Sequence, residues 1–304
     1  MSFVDPNQRL KSNPRAHIYL FIVALIYGAN YSIAKIVLDP GLLDPNTFIF
    51  MRIGSAALLF IIFFGIPSPD ALGSWRELIF ASLTGVVANQ FLFFNGLART
   101  TPVHAALIMI TTPLLVLGIQ FYTQRFQVSC RQWFGTLLAF GGTALLIGIS
   151  GHDQGSRSSS IAGDLMVFSN ACSYAIYLTR FPALISRHRP MDVLSWIFII
   201  GFIMSIPLGA AQFNQISWQS FDASSVAALL FVLICTTFLT YLLNAKSLEL
   251  SGPALVSQYI YLQPLLALVI GMILGKDQLL WQYLVFGSMT IFGVYLVSSD
   301  VHHR

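Results

Sequence analysis

Ten apolar stretches, each about twenty residues long, follow one another along the chain. They cover residues 18–38, 48–65, 78–97, 105–122, 132–149, 165–185, 193–211, 225–245, 254–274 and 280–297. Helices of this length rise about 30 Å, at about 1.5 Å per residue, which matches the hydrocarbon core of a bilayer. Polar separators with turn-forming residues, such as Asp39-Pro40-Gly41 and Gly275-Lys276-Asp277, divide the stretches. The pattern predicts an all-α integral membrane protein with ten transmembrane helices.

The composition agrees with lipid as the main solvent. Hydrophobic residues make up 56% of the 304 positions and charged residues only 9%, whereas soluble domains carry about 25% charged residues. The net charge of +4 is not gathered into a basic face with interleaved aromatic residues, which argues against a nucleic-acid partner. The three cysteines, Cys130, Cys172 and Cys235, have no CxxC spacing, so neither a disulfide framework nor a metal site is predicted.

Lysine and arginine are distributed unevenly between alternate polar segments. With a cytoplasmic amino terminus, the inner segments and helix ends contain Arg9, Lys11, Arg15, Arg76, Arg125, Arg131, Arg180, Arg187, Arg189, Lys246 and Arg304. The outer loops then contain Arg99, Arg157 and Lys276. Because positive residues concentrate on the cytoplasmic side of membrane proteins, we expect a multi-pass protein of the cell (inner) membrane with both termini in the cytoplasm.

The two halves of the chain resemble each other. With an offset of 151 residues, Pro113-Leu114-Leu115 aligns with Pro264-Leu265-Leu266. We therefore expect a cytoplasmic tail at residues 1–17, a five-helix repeat at 18–150, an extracytoplasmic linker at 151–162, a second five-helix repeat at 163–298 and a cytoplasmic tail at 299–304. An odd number of helices per repeat gives the two halves opposite orientations in the membrane. Pro113 and Pro264 are predicted hinges, because proline removes a backbone hydrogen bond within a helix.

Several motifs are shared with a known transporter family. They are Tyr27-Gly28-Ala29-Asn30-Tyr31 with Lys35, Met51-Arg52-Ile53, Gly96-Leu97, His104-Ala105-Ala106-Leu107-Ile108, Arg131-Gln132-Trp133-Phe134-Gly135, Ser247-Leu248, Gly275 and Trp281-Gln282. Over nearly its whole length the chain resembles the EamA family of the drug/metabolite transporter (DMT) superfamily. The resemblance implies ten helices in two inverted repeats and a central path lined mainly by the first, third, fourth, sixth, eighth and ninth helices. It also implies export of amino acids and other small metabolites.

The chain departs from the family at the ends of the fourth and ninth predicted helices. Family members often have a Gly-Glu pair there, whereas this chain has Tyr122-Thr123-Gln124-Arg125 and Gly275-Lys276-Asp277. A salt bridge inherited at these helix ends is therefore not expected.

Polar and aromatic side chains within the predicted helices indicate a solute path. In the sixth helix, Asn170, Ser173, Tyr174 and Tyr177 recur on one face, and a lipid-facing stripe of this kind would be costly. The candidate path residues are Tyr27, Asn30, Tyr31, Asn89, Gln90, Asn170, Tyr174, Tyr177, Thr240, Tyr241, Gln258 and Tyr261. Hydrogen bonding between helices is the alternative role for each of them. Amides and aromatic rings without fixed charge suit a neutral, zwitterionic or aromatic solute.

Two cations and one histidine are candidates for a gate or a mouth. Lys35 and Arg52 lie within apolar stretches. They either extend toward Asp39, Asp44 and free carbonyls at the helix ends or receive a carboxylate at the external mouth. His104, near the start of the fourth predicted helix, is either a satisfied amphipathic histidine or a titrating gate.

The pattern as a whole predicts a secondary transporter, an exporter or facilitator of small metabolites that works by alternating access. No Asp or Glu lies in the middle of a predicted helix, which favours a facilitator or exchanger over a proton antiporter. A lipid flippase or channel is the alternative on the same fold. A membrane enzyme is disfavoured, because HExxH, GxSxG and an intramembrane acid pair are absent. The expected partners are a small-molecule solute and the lipid bilayer, without nucleic acid or cofactor, and a homodimer is left open.

Overall fold

The computed structural model describes residues 13–38, 41–100, 105, 108–124, 129–150, 160–273 and 281–300. These residues form helices joined by turns, with no β-strand among them. The α-helices are α1 (Pro14–Ile33), α2 (Lys35–Leu38), α3 (Pro45–Phe64), α4 (Trp75–Ser82), α5 (Ala88–Leu97), α6 (Thr112–Gln124), α7 (Cys130–Ser150), α8 (Ile161–Ile185), α9 (Pro190–Gly209), α10 (Ala223–Leu230), α11 (Thr240–Gln258), α12 (Leu262–Ile273) and α13 (Trp281–Asp300). Two π-helical segments, π1 (Leu83–Val87) and π2 (Phe231–Leu239), join α4 to α5 and α10 to α11.

The described residues have the surface and the helix lengths of a membrane protein. Five helical stretches are long and apolar enough to cross a bilayer, namely Pro45–Phe64, Pro69–Leu97, Ile161–Ile185, Pro190–Gly209 and Ala223–Ile270. Large apolar side chains such as Ile62, Leu165 and Leu284 point outward rather than into the core. A surface of this kind is stable in lipid, where helices satisfy their own backbone groups. The all-helical membrane protein expected from the sequence agrees with this architecture.

Local capping explains where the long helices begin. The helices α1, α3 and α9 each start with a proline, whose fixed φ and missing N–H suit the first helical position. Asp44 caps α3, because its carboxylate accepts a hydrogen bond from the backbone N–H of Asn46 at 2.9 Å. These helices consequently begin a few residues before the apolar stretches do.

The longest helical stretch is divided at Gly252. This residue has φ 76° and ψ 173°, so α11 consists of two rods that meet there. Glycine adopts positive φ at little cost, and the following Pro253 disfavours a helical conformation at the residue before it. The break separates the eighth and ninth predicted helices.

Helix geometry changes just before each of the two paired prolines. The helix α6 begins at Thr112, so Pro113 lies in its first turn rather than in the interior of a longer helix. The carbonyl of Met109, which Pro113 cannot bond, accepts the Thr112 hydroxyl at 2.7 Å. Pro264 lies in the first turn of α12, directly after a 3₁₀ turn at Tyr259–Tyr261. Whether these positions act as hinges is a matter of function, and it stays a prediction.

The helices pack in pairs that combine the two halves of the chain. Helix α3 packs against α9, α7 against α13, α1 against α11 and α12, and α8 against α5 and α6. The α7–α13 crossing is close because glycines meet there: a Cβ added to Gly135 would lie 2.8 Å from the carbonyl oxygen of Gly293. Small residues of this kind allow helix backbones to approach in membranes.

Most of the predicted linker and tails fall outside the described residues. Within the predicted linker (151–162), the structure describes residues 160–162, and α8 already begins at Ile161. The helix α1 likewise begins at Pro14, inside the predicted amino-terminal tail (1–17). The division of the chain into tails, repeats and linker stays a prediction.

Candidate functional site

A cavity of about 680 Å³ lies within the helix bundle. Its volume is in the range of sites that bind small molecules. Of the predicted path residues, the cavity wall contains Tyr27, Asn30, Asn89, Gln90, Asn170, Tyr174 and Tyr241. The fold therefore brings together polar side chains from four separate helices.

The cavity occupies one half of the bundle. Its walls come from the second half of α1, the first half of α3, α5 and the first half of α8. Hydrogen bonds hold these helix parts together at one end: Asn95 donates to the side chain of Asn46 at 2.8 Å, and the backbone N–H of Ser160 donates to the carbonyl of Arg99 at 3.2 Å. The wall extends to this end, where Ala98 is exposed.

Aromatic side chains pack on one another next to Tyr174 and Tyr241. The ring of Tyr177 stacks on Tyr174 with 6.1 Å between centroids and on Phe181 with 4.9 Å. Phe198 packs edge-on against Tyr241 at 4.8 Å. Tyr174 and Tyr241 therefore form the floor of the cavity, with a packed apolar core behind them.

The backbone of π1 accepts hydrogen bonds from α8 and α11 next to the cavity floor. The carbonyl of Thr84 accepts the Ser173 hydroxyl at 2.8 Å, and the carbonyl of Gly85 accepts the Tyr241 hydroxyl at 2.8 Å. A π-helical turn disrupts the regular ladder and leaves such carbonyls for other donors, often near functional sites. The position of Tyr241 in the floor is fixed by this bond.

Several side-chain amide atoms of cavity-wall residues have no hydrogen-bond partner. The Oδ1 atoms of Asn30 and Asn170 are buried and unpartnered, as are both amide atoms of Gln90. The Nδ2 of Asn170 donates to the carbonyl oxygen of Asn89, which orients its Oδ1. Buried polar groups are nearly always satisfied in folded proteins, so these amide atoms are exceptions to the general pattern.

Arg52 is the one charged residue on the cavity wall among those that the structure describes. Its side chain is 4% exposed, and its Nε donates to Thr237 Oγ1 at 3.0 Å. The guanidinium carbon lies 4.9 Å from the ring centroid of Phe94 and 5.6 Å from that of Phe48. The guanidinium therefore contacts two aromatic rings and the hydroxyl of Thr237, and the predicted roles of Arg52 at the mouth stay predictions.

Four predicted path residues lie outside this cavity. Tyr177 packs against Gly85, and Thr240 bonds the carbonyl of its own helix at Thr236 with a distance of 2.8 Å. The ring of Tyr177 and the hydroxyl of Thr240 are thus used in helix contacts, and the place of both residues in the path stays a prediction.

The other two lie between different helices. Gln258 is fully buried and donates to Thr136 Oγ1 at 2.9 Å, so it connects α11 to α7. Tyr261 is also fully buried and packs with Ile110, Ala139 and Val294. Neither belongs to the cavity wall, and Gln258 Oε1 and the Tyr261 hydroxyl are buried without a hydrogen-bond partner. Their place in the path stays a prediction.

Three further residues predicted from the sequence have positions or side chains that the structure does not describe. His104 lies outside the described residues, and the side chains of Tyr31 and Lys35 are also not described. Their proposed roles in the path or at the mouth stay predictions.

Most of the apolar wall was not predicted from the sequence. Phe93 and Phe94 line the cavity beside the predicted Asn89 and Gln90. Each phenylalanine follows one of these amides at the i+4 position, where side chains share a helix face. This spacing is the signal that identifies them. Met109 and Ile260, in contrast, reach the wall only through the packing of their helices.

The arrangement can bind an amphipathic molecule. Amide atoms and one guanidinium provide polar contacts, while aromatic and aliphatic side chains cover the remaining wall. No group of three or more His, Cys, Asp or Glu residues that could hold a metal occurs in the described part of the chain. Recognition of a small organic solute is the chemistry that this wall supports.

Comparison with known proteins agrees with the architecture. The sequence model of the EamA-like transporter family matches residues 14–148 and again residues 161–299. An "Uncharacterized transporter" of Archaeoglobus fulgidus is 24% identical over 95% of this chain and 99% of its own. "Uncharacterized transporter YyaM" of Bacillus subtilis is 25% identical over 94% of this chain and 95% of its own. A solved crystal structure aligns with a TM-score of 0.74 at 15% identity, over 95% of this chain and 98% of that one, which shows a common fold.

Proposed function

Because the chain belongs to the EamA-like transporter family, and is thus a membrane transporter, we propose that it carries small metabolites through the central cavity by alternating access. The solutes are neutral, zwitterionic or aromatic molecules, such as amino acids. The protein acts as an exporter or facilitator in the cell membrane.

The half-open cavity is the observation that carries this proposal. Its wall reaches one end of the bundle at Pro45 and Ala98, while aromatic rings pack against Tyr174 and Tyr241 on the other side. A channel needs a continuous pore, whereas a carrier exposes its site to one side at a time. A cavity that stops near the middle of the bundle favours a carrier.

Paired packing supports two inverted five-helix repeats. Helix α1 packs against α11 and α12, and helix α8 packs against α5 and α6 in the same manner. The segments π1 and π2 also interrupt corresponding helices of the two halves, and the family model matches twice. Ten helices arranged in this way give one scaffold two packings of similar energy, which is what alternating access requires.

The distribution of Lys and Arg along the chain supports a cavity that faces the outer side of the membrane. Lys and Arg concentrate in the segments that lie on the side of the amino terminus, so both termini are proposed to be cytoplasmic. The cavity is formed by the second half of α1 and the first half of α3, at the end away from Pro14. In this orientation the cavity faces outward.

The wall also supports a facilitator or exchanger. No Asp or Glu occurs among the described residues of the cavity wall, whereas proton- or sodium-coupled carriers commonly keep an intramembrane carboxylate for the ion. Transport is therefore proposed to run down the solute gradient.

Solute release from reconstituted vesicles tests the proposal. Vesicles containing the purified protein are loaded with a metabolite mixture of known composition, without an imposed ion gradient, and the released solutes are measured by mass spectrometry. We expect a subset of small neutral or zwitterionic solutes to leave faster than from protein-free vesicles. If no solute leaves faster than from protein-free vesicles, the proposal is wrong.

A further inference from the structure

A second, narrow space lies directly next to the main cavity. Its volume is about 10 Å³, which is close to the space that one water molecule needs. The walls of the two spaces share four residues, namely Tyr27, Tyr174, Ile260 and Gln263. These four residues therefore separate the narrow space from the main cavity.

The order of the wall residues along α1 gives the direction in which the narrow space lies. The main cavity contacts α1 from Tyr27 onward, in the second half of the helix, whereas the narrow space contacts Leu20, Val23 and Ala24 in the first half. A helix rises about 1.5 Å per residue, so the narrow space extends about 10 Å from Tyr27 toward the end of the bundle at Pro14.

The wall of the narrow space is partly polar. Asn244 and Tyr259 add an amide and a phenol to those of Gln263 and Tyr27. Cavities that stay empty in proteins are lined by apolar groups, and polar side chains within a membrane usually face the interior of the bundle or an aqueous path. A closed part of a solute path explains this wall better than a packing defect does.

A hydrogen bond joins α1 to the wall residue Tyr259 at the far end of the narrow space. The Tyr259 hydroxyl lies 2.6 Å from Nδ1 of His17, in the first turn of α1. The Nε2 of the same ring lies 3.5 Å from the Ser298 hydroxyl on α13. A neutral imidazole has one donor and one acceptor nitrogen, so one ring can bond both hydroxyls. His17 thus connects α1 to two other helical segments.

The bond to Tyr259 acts next to a predicted hinge. Tyr259 begins the 3₁₀ turn that directly precedes α12, and Pro264 lies in the first turn of α12. Bending at Pro264 would move Tyr259 relative to α1, and the bond to His17 opposes such a movement. The bond therefore stabilises the conformation in which the narrow space is closed.

The first half of the chain cannot make the corresponding bond. The offset of 151 residues that aligns Pro113 with Pro264 also aligns Ile108 with Tyr259. An isoleucine side chain has no hydrogen-bond donor or acceptor. The bond thus distinguishes the two halves of the chain, and it favours the conformation in which the end of the bundle at Pro14 is closed.

We infer that His17 and Tyr259 form an inner gate of the transport path, and that the path runs from the main cavity between Tyr27 and Tyr174 into the narrow space and out past this gate. The inference rests on the proposed transport function and specifies the second half of the path. Because the bond exists only while the gate is closed, removing it favours the conformation that is open at the amino-terminal end of α1.

A cysteine in the narrow space reports whether the gate is open. Val23 is 4% exposed and belongs to the wall, and cysteine is slightly smaller than valine. Val23→Cys is made in a background in which Cys130, Cys172 and Cys235 are replaced by alanine. The protein is placed in lipid nanodiscs, and the rate of its reaction with a charged, water-soluble methanethiosulfonate reagent is measured. The reagent is larger than the narrow space, so the reaction requires this space to widen.

Removal of the bond should accelerate the reaction. Tyr259→Phe keeps the ring and should raise the rate about fivefold, the shift in population that the loss of one ordinary hydrogen bond produces. His17→Ala should also raise the rate, and adding Tyr259→Phe to it should produce no further increase, because either substitution removes the same bond. Tyr295→Phe, on α13 and 59% exposed, is the control and should leave the rate unchanged.

Three outcomes would overturn the inference. They are an unchanged rate in Tyr259→Phe, an equal increase in Tyr295→Phe, and rapid labelling while His17 and Tyr259 are intact. The labelling needs no transported solute, so a negative result leaves the transport proposal standing. The release of metabolites from vesicles decides separately whether the protein transports any solute.

Discussion

The backbone of Gly85 lies directly against the aromatic ring of Tyr177, so that a Cβ on Gly85 would overlap the ring. The two residues join π1 to α8 behind the cavity floor. Ser173 and Tyr241 bond the carbonyls of Thr84 and Gly85 at the same place. The floor of the cavity is thus positioned both by this steric contact and by these hydrogen bonds.

Gly85→Ala should lower the free energy of unfolding by about 1–3 kcal/mol, because the added methyl group overpacks the contact with Tyr177. Denaturant unfolding in detergent micelles, followed by tryptophan fluorescence, measures the effect. Gly118→Ala is the matched control, since a Cβ there meets nothing within 4 Å. In a Tyr177→Ala background, Gly85→Ala should cost less than in the wild type, because the ring that the methyl group meets is then absent. Equal stabilities of the two glycine variants would contradict the prediction.

Tyr241→Phe should also lower the free energy of unfolding by about 1–3 kcal/mol, because it leaves the Gly85 carbonyl without its donor in a buried site. The same denaturant titration applies. Tyr295→Phe serves as the control, because Tyr295 is 59% exposed. If both substitutions have the same small effect, the hydroxyl of Tyr241 does not stabilise π1.

Asn170→Ala should raise the half-saturation concentration for transport several-fold, because one hydrogen bond to the solute contributes about 1 kcal/mol. Gln258→Ala should leave that concentration unchanged, since its amide bonds Thr136 away from the cavity wall. Initial rates of solute release at a series of concentrations measure both. A larger change for Gln258→Ala than for Asn170→Ala would place the solute elsewhere.

Pro113→Ala and Pro264→Ala should each slow transport without reducing the amount of protein in the membrane. The restored N–H groups favour a continuous helix where α6 and α12 now begin, so that a conformational change at these points becomes harder. Transport rates normalised to membrane abundance test the prediction. Pro207→Ala is the control, because Pro207 lies inside α9 and outside the cavity wall. Unchanged rates in both paired variants would show that the prolines are not hinges.

The local pattern of the sequence determined that the protein is a helical membrane protein and where most helices lie. Apolar length and turn residues act through neighbouring positions, so they are readable without a fold. The spacing of Asn170 and Tyr174 placed both on one helix face, and both line the cavity. The family resemblance, which the family model confirms, then indicated transport.

Only the tertiary structure decided which polar residues of a face reach the cavity. Tyr177 lies one turn after Tyr174 on the same helix, yet its ring packs against Gly85 and is not part of the cavity wall. Arg52 lies about two turns from the start of α3, and its hydrogen-bond partner is Thr237, a residue 185 positions away. Contacts of this kind depend on which helices become neighbours, and periodicity within one helix contains no information about the surface that packs against it.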